Sequence, residues 1–84
     1  NREKIDEAIS EASEKWDIGR ISKTALAVSR IATFEIMFEQ NIPASVSINE
    51  ALELLKYFGD FDSVSFVNGL LGKIAESHAC EKQI

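Results

Sequence analysis

Apolar residues recur at every third or fourth position through four successive stretches of this chain, and that spacing confines it to helices packed face to face. A strand would need alternation with a period of two, and no stretch keeps that pattern long enough to suggest one. Proline occurs once, at Pro43, and glycine four times. The expected fold is all-α, a small bundle of about four helices making a single domain over residues 1–84. At 84 residues there is room for one core only, and folding buries roughly 60 to 65% of the surface of so short a chain, so its stability is expected to be modest.

The first helix is expected over about residues 3 to 15, with Ile5, Ala8, Ile9, Ala12 and Trp16 on one side and the glutamates mostly opposite. Trp16-Asp17-Ile18-Gly19 reads as a stop and a corner. The second helix, about 21 to 39, carries Ile21, Ala25, Val28, Ile31, Ala32, Phe34 and Phe38 in one broad apolar arc, which makes it the central helix. Glu35 falls inside that arc, so its carboxylate is expected to be buried and bonded to the 40–49 segment or to a basic side chain. On the reverse side Leu26, Arg30, Thr33 and Met37 form a stripe, and its two apolar members point to a contact made outside this core.

Ile42-Pro43 belongs to a loop, because proline disfavours helix in the residue before it. Ser47-Ile48-Asn49-Glu50 then has the form of a capping box, so a third helix is expected to start at Ser47, and Ser47→Ala to cost stability. Ile48, Ala51, Leu52, Leu55 and Phe58 are its apolar face and Gly59 its stop. Asp62 is placed as the N-cap of a fourth helix, with Phe61 and Phe66 spaced for a hydrophobic staple. Phe66, Val67, Leu70, Leu71 and Ile74 line its buried side. Gly69 and Gly72 lie off that arc and suggest a close backbone approach. The tail at 78–84 is expected to fray.

Charge limits what such a bundle can do alone. Nine Lys and Arg stand against 14 Asp and Glu, for a net charge of −5, and the basic residues are scattered singly. A free-standing RNA binder draws most of its affinity from a basic stripe, so this chain by itself is expected to bind nucleic acid weakly. No apolar run approaches the ~20 residues that cross a bilayer, and no signal peptide opens the chain. Cys80 has no partner cysteine within the chain, which fits a reducing, cytoplasmic setting. No catalytic constellation or cofactor loop is visible, and no cofactor is expected. His78 and Cys80 fall short of a four-ligand metal site. Asn1 opens the chain directly in helical sequence, which is expected of a piece of a longer protein.

Three blocks in fixed order carry a more specific signal. The first is Arg30-Ile31-Ala32-Thr33-Phe34-Glu35. The second is Ile42-Pro43 followed by Val46-Ser47-Ile48-Asn49-Glu50-Ala51-Leu52-Glu53-Leu54. The third is Phe58-Gly59, then Asp62-Ser63, then Phe66-Val67-Asn68-Gly69-Leu70-Leu71. Together, at this spacing, they resemble the C-terminal half of the NusB family of transcription antitermination factors, from about Trp16 to Ile74. Phe34 replaces the family's commoner tyrosine. Ser29 stands where a leucine usually precedes the arginine, and Ala25-Leu26 replaces a frequent acidic-basic pair.

The resemblance implies the C-terminal half of a two-bundle helical fold, and a non-catalytic factor in a bacterial cytoplasm. It implies binding to boxA-type RNA together with NusE, the ribosomal small-subunit protein, and assembly on RNA polymerase to make it processive through ribosomal RNA operons. The family's arginine-rich first helix has no counterpart here, in line with the acidic balance. The RNA-binding residues that the resemblance points to are Phe58, Asp62, Ser63 and Phe66, with the staple as the structural alternative for Phe66. Leu26, Arg30, Thr33, Met37 and Asn49 are the candidate protein-partner surface, Asn49 because capping does not require it. Two other readings stand beside this one. One is the NusB-like domain of a ribosomal-RNA cytosine methyltransferase, and the other is a structural module that dimerises through its helices.

Overall fold

The computed structural model describes residues 2–12, 21–39 and 41–82, with side chains as far as residue 78. Among the described residues four helices follow one another: α1 (Arg2–Ala12), α2 (Lys23–Phe38), α3 (Ala44–Tyr57) and α4 (Val64–Lys82), with a 3-10 turn at Phe61–Ser63 leading into α4. No strand occurs among the described residues, so the expected all-α bundle is what forms. Trp16 and the corner around it lie outside the described residues. The backbone of α4 is helical to Lys82.

α2 packs on each of the other three helices, and α4 does the same. Their shared core is Ala25, Val28, Ala32 and Ile36 of α2 against Val67, Leu70, Leu71 and Ile74 of α4, closed by Ile5 and Ile9 from α1 and Ala51 and Leu55 from α3. Each large aliphatic side chain enclosed there contributes about 1.5 to 3 kcal/mol. The alanines at 25, 32 and 51 are nearly inaccessible. Small side chains there let the helix backbones come close, which larger ones would hold apart.

The apolar arc expected on α2 is turned by about one residue step, ~100° of helix. Ala25, Val28 and Ala32 are buried as expected, but Ser29, Thr33 and Ile36 complete the buried face, while Ile31, Phe34 and Phe38 stand exposed. Glu35 is accordingly only partly buried, not enclosed. α1 packs on α2 and meets it at Arg30, which pairs with Asp6, and together with α3 and α4 it encloses a face of α2 centred on smaller residues.

α3 also begins earlier than the capping box suggests. Pro43, extended at φ −60° and ψ 142°, occupies the N-cap position, and its carbonyl accepts from the backbone N–H groups of Val46 and Ser47 at 3.0 and 3.3 Å. The Ser47 N–H is thus already bonded, and Ser47 sits one turn inside the helix at 1% exposure. Its hydroxyl has no hydrogen-bond partner among the described residues, nor do those of Ser29 and Thr33. Ser47→Ala is therefore expected to leave stability unchanged or to raise it by up to ~1 kcal/mol. Alanine removes a buried, unbonded hydroxyl and favours the helix more than serine does. A chemical-denaturation midpoint that fell instead would mean that the hydroxyl is bonded in solution.

Apart from their chain neighbours and the backbone of their own helix, no described atom lies within 4 Å of where a Cβ of Gly69 or Gly72 would stand, so no other described element makes the close approach expected at these glycines.

Candidate functional site

The corner between α3 and α4 is held by several hydrogen bonds. Phe58 caps α3, and Gly59 takes φ 79°, the left-handed conformation that glycine adopts without a Cβ penalty. The Gly59 N–H donates to the Lys56 carbonyl at 3.0 Å and the Asp60 N–H to the Leu55 carbonyl at 2.8 Å. This is the paired bonding of a Schellman motif, and it satisfies carbonyls that the helix end would otherwise leave open. The chain is thereby reversed within three residues.

That reversal puts Asp60 against the start of α2. Ser22, the N-cap of α2, accepts from the Ala25 backbone N–H at 3.0 Å and donates its own hydroxyl to Asp60 Oδ2 at 2.5 Å. The Ser63 hydroxyl donates to Asp60 Oδ1 at 2.9 Å. These two hydroxyls hold the Asp60 carboxyl below the usual carboxylate range, the bond from Ser22 having the larger effect. Sequence reasoning missed this cluster. A serine just before an apolar helix is a legible cap signal for Ser22; its link to Asp60, 38 residues away, is not.

The four residues singled out for RNA separate into two places. Phe58 is 62% exposed and sets its ring 5.2 Å from that of Tyr57, nearly perpendicular to it. Ser63 is partly buried and committed to Asp60. Asp62 and Phe66 come together along a groove of about 320 Å³, where the end of α1 (Ala12) faces Ser65, Gly69 and Leu70. Asp62 lies in the 3-10 turn, exposed, and is not the cap of α4, which starts at Val64. Phe61 is 65% exposed, so the anticipated staple with Phe66 is not closed, and Phe66 instead packs partly against the core.

The stripe proposed for a protein partner is largely used within the bundle. Thr33 is fully buried, which corrects its placement on an outer face. Arg30 reaches across to α1, its Nε 2.9 Å from Asp6 Oδ1 and its second guanidinium nitrogen 3.4 Å from Oδ2. Met37 borders a second groove, about 330 Å³, that runs between α1 and α4 past Lys4, Glu7, Lys73 and His78. Leu26 is partly buried, and Asn49 alone of the five is exposed, on the outer side of α3 beside Leu54 and Tyr57. In place of that stripe, α2 turns Ile31, Phe34 and Phe38 outward, with the two phenylalanine rings 5.5 Å apart.

The chain matches the sequence profile of the NusB family over residues 1–76. It belongs to the NusB family. Among curated relatives it is similar to the transcription antitermination protein NusB of Clostridium perfringens, with 50% identity over 74 residues covering 88% of this chain and 55% of that protein. The corresponding protein of Clostridium acetobutylicum is 49% identical over 77 residues (92% and 57%), and that of Thermotoga maritima 46% over 79 residues (94% and 56%). This NusB-family chain thus spans little more than half the length of these relatives. No solved structure matches it.

Mapped onto the fold, the first motif block lies on α2, the second runs through the loop into α3, and the third forms the α3–α4 corner and the buried side of α4. No group of three His, Cys, Asp or Glu able to hold a metal ion occurs among the described residues. None of the described helices is long and apolar enough to cross a membrane.

Proposed function

We propose that this NusB-family chain is the non-catalytic part of a transcription antitermination factor. In that reading it contacts boxA-type RNA at the α3–α4 corner and protein partners, NusE among them, through exposed side chains of α2 and α3, acting within a complex on RNA polymerase in the cytoplasm. What carries the reading is the family match over residues 1–76. The exposed rings at the corner support the RNA contact, since unstacked bases seek aromatic faces. Phe58, Asp62, Ser63 and Phe66 are its proposed RNA residues. Asn49 is the proposed partner contact best exposed for it, with Leu26, Arg30 and Met37 partly covered.

Affinity is expected to be limited. A net charge of −5 repels phosphate, so binding to RNA weakens gently with salt, with far fewer ions released than for a basic RNA binder. The test is a titration of single-stranded boxA-like RNA against the chain and its Asp62→Asn variant, followed by fluorescence anisotropy at several salt concentrations. Asp62 is exposed and no described helix depends on it for its cap, so asparagine removes a charge near phosphate and little else. Binding is expected to hold or tighten. Loss of binding in a folded Asp62→Asn variant would show that the carboxylate itself reads a base and would refute the electrostatic account.

A further inference from the structure

The first half of α4 is held by packing more than by the helical preference of its own residues. Between Val64 and Gly72 only Leu70 and Leu71 are strong helix formers, and the other positions are valine, serine, phenylalanine, asparagine and glycine. Val67, Leu70 and Leu71 are enclosed in the core, while Asn68 and Gly69 are exposed. A Cβ at Gly69 or Gly72 would meet open space, so no packing among the described residues calls for glycine at either place. Two glycines so placed make this part of the helix easier to open. The chain has asparagine at 1, 41, 49 and 68, and Asn68 alone is followed by glycine.

We infer that Asn68 is a site of spontaneous deamidation that reacts when the first half of α4 opens, so that opening of this helix limits the lifetime of the folded chain. In the reaction the Gly69 backbone nitrogen gives up its proton to solvent and attacks the side-chain carbonyl carbon of Asn68. The bond from that carbon to the side-chain nitrogen breaks, and the nitrogen leaves as ammonia with a proton taken back from solvent. Water then opens the cyclic imide at either carbonyl and leaves aspartate or isoaspartate. Glycine permits the attack because it has no side chain to hinder the approach of its nitrogen. An intact helix blocks it: there the Gly69 N–H is bonded to the carbonyl four residues back and the backbone dihedrals are fixed. Asn49 is the internal comparison, also exposed on a helix but followed by Glu50, whose side chain hinders ring closure. The product matters to the fold, because isoaspartate adds a main-chain methylene between Val67 and Leu70, both of which lie in the core. A helix that has reacted cannot return both to their places.

The experiment incubates the chain and its Gly72→Ala and Gly69→Ala variants at mildly alkaline pH, folded in buffer and unfolded in urea, and follows the amide-to-acid mass change in tryptic peptides. Asn68 is the one amide side chain in the peptide Tyr57–Lys73, which assigns the change to it. In the folded chain Asn68 is expected to convert at least about tenfold more slowly than in urea, a ratio that reports the opening equilibrium of α4, yet faster than Asn49. Gly72→Ala leaves the Asn-Gly pair untouched and favours the helix, so it should slow the folded chain about fourfold and change nothing in urea. Gly69→Ala should suppress conversion in both states. The converted fraction, separated by ion exchange, should melt below the unconverted chain. If Asn68 of the folded chain converts no faster than Asn49, or if Gly69→Ala converts as the parent does, the site is not reactive by this route and the proposal falls. A folded-state rate equal to that in urea, or one left unchanged by Gly72→Ala in a variant that circular dichroism shows to be helical, would overturn the dependence on opening of α4. A converted fraction that melts with the parent would overturn the limit on lifetime.

Discussion

Leu55→Ala is expected to destabilise the fold by about 2 to 5 kcal/mol, the range for removing a fully enclosed leucine and leaving a cavity behind. Leu55 has no exposed surface and stands at the centre of the contact that α3 makes with the rest of the core. The core is small, and domains of this size have only a few kcal/mol in reserve. The thermal midpoint should therefore fall by roughly 10 to 30 °C, with a substantial unfolded fraction near room temperature at the upper end of the range. The neighbouring Leu54 supplies the control. It is 40% exposed, one helical step of ~100° away, and Leu54→Ala should cost less than ~1 kcal/mol. Thermal melts of the two variants side by side make the comparison; equal shifts would mean that α3 is rotated from the orientation described.

Asp60→Ala should have the next largest effect, about 1 to 2 kcal/mol, and a signature in pH. The side chain accepts two hydroxyl bonds, from Ser22 at 2.5 Å and Ser63 at 2.9 Å, and so ties the start of α2 to the start of α4. Bonds to a charged acceptor are the stronger kind, discounted here because the cluster faces solvent. The Asp60 pKa is lowered in the folded state. The unfolded chain therefore takes up its proton first as pH falls. The contribution is complete above the unfolded carboxyl pKa of ~3.9 and drains away as pH falls through the lower, folded value. Denaturation of the parent chain and of Asp60→Asn at a series of pH values reads this out: their difference should be constant near neutrality and shrink in acid. A difference that persisted unchanged into strong acid would show that the carboxylate charge is not what the two serines recognise. Ser22→Ala should reproduce part of the loss, since it removes the α2 cap along with one of the two bonds.

The two effects differ in how far they could be foreseen. Leu55, Val67, Leu71 and Ile74 were legible because each falls in the middle of an apolar arc at helical spacing, with further apolar residues three or four positions away on the same side. α2 was harder. Its outer positions Ile31, Phe34 and Phe38 are as apolar as its inner ones, so periodicity alone chose a face about one step away from the buried one, and Thr33 and Ser29, polar by type, turned out to be enclosed. At Ser47-Glu50 a capping pattern was present, but Pro43 had already begun the helix one turn upstream, and a local pattern does not reveal that its donors are taken. At the α3–α4 corner Gly59 announced the stop correctly, while Asp62 drew attention that belongs to Asp60, because both are acidic residues near a helix start and only the path of the chain decides which one meets Ser22.

The sequence by itself determined the class of fold, the number of helices, the position of the Gly59 reversal and, through three motif blocks, the family. All of these depend on spacing along the chain or on the local preferences of single residues. The tertiary structure alone decided which face of α2 is inside, that Arg30 is held by Asp6, that Asp60 joins two helices through Ser22 and Ser63, and that Tyr57 and Phe61 remain in water beside Phe58. Each of these depends on which helix lies against which, and a side chain on an amphipathic helix with apolar residues on both sides carries no record of its neighbour until the helices pack.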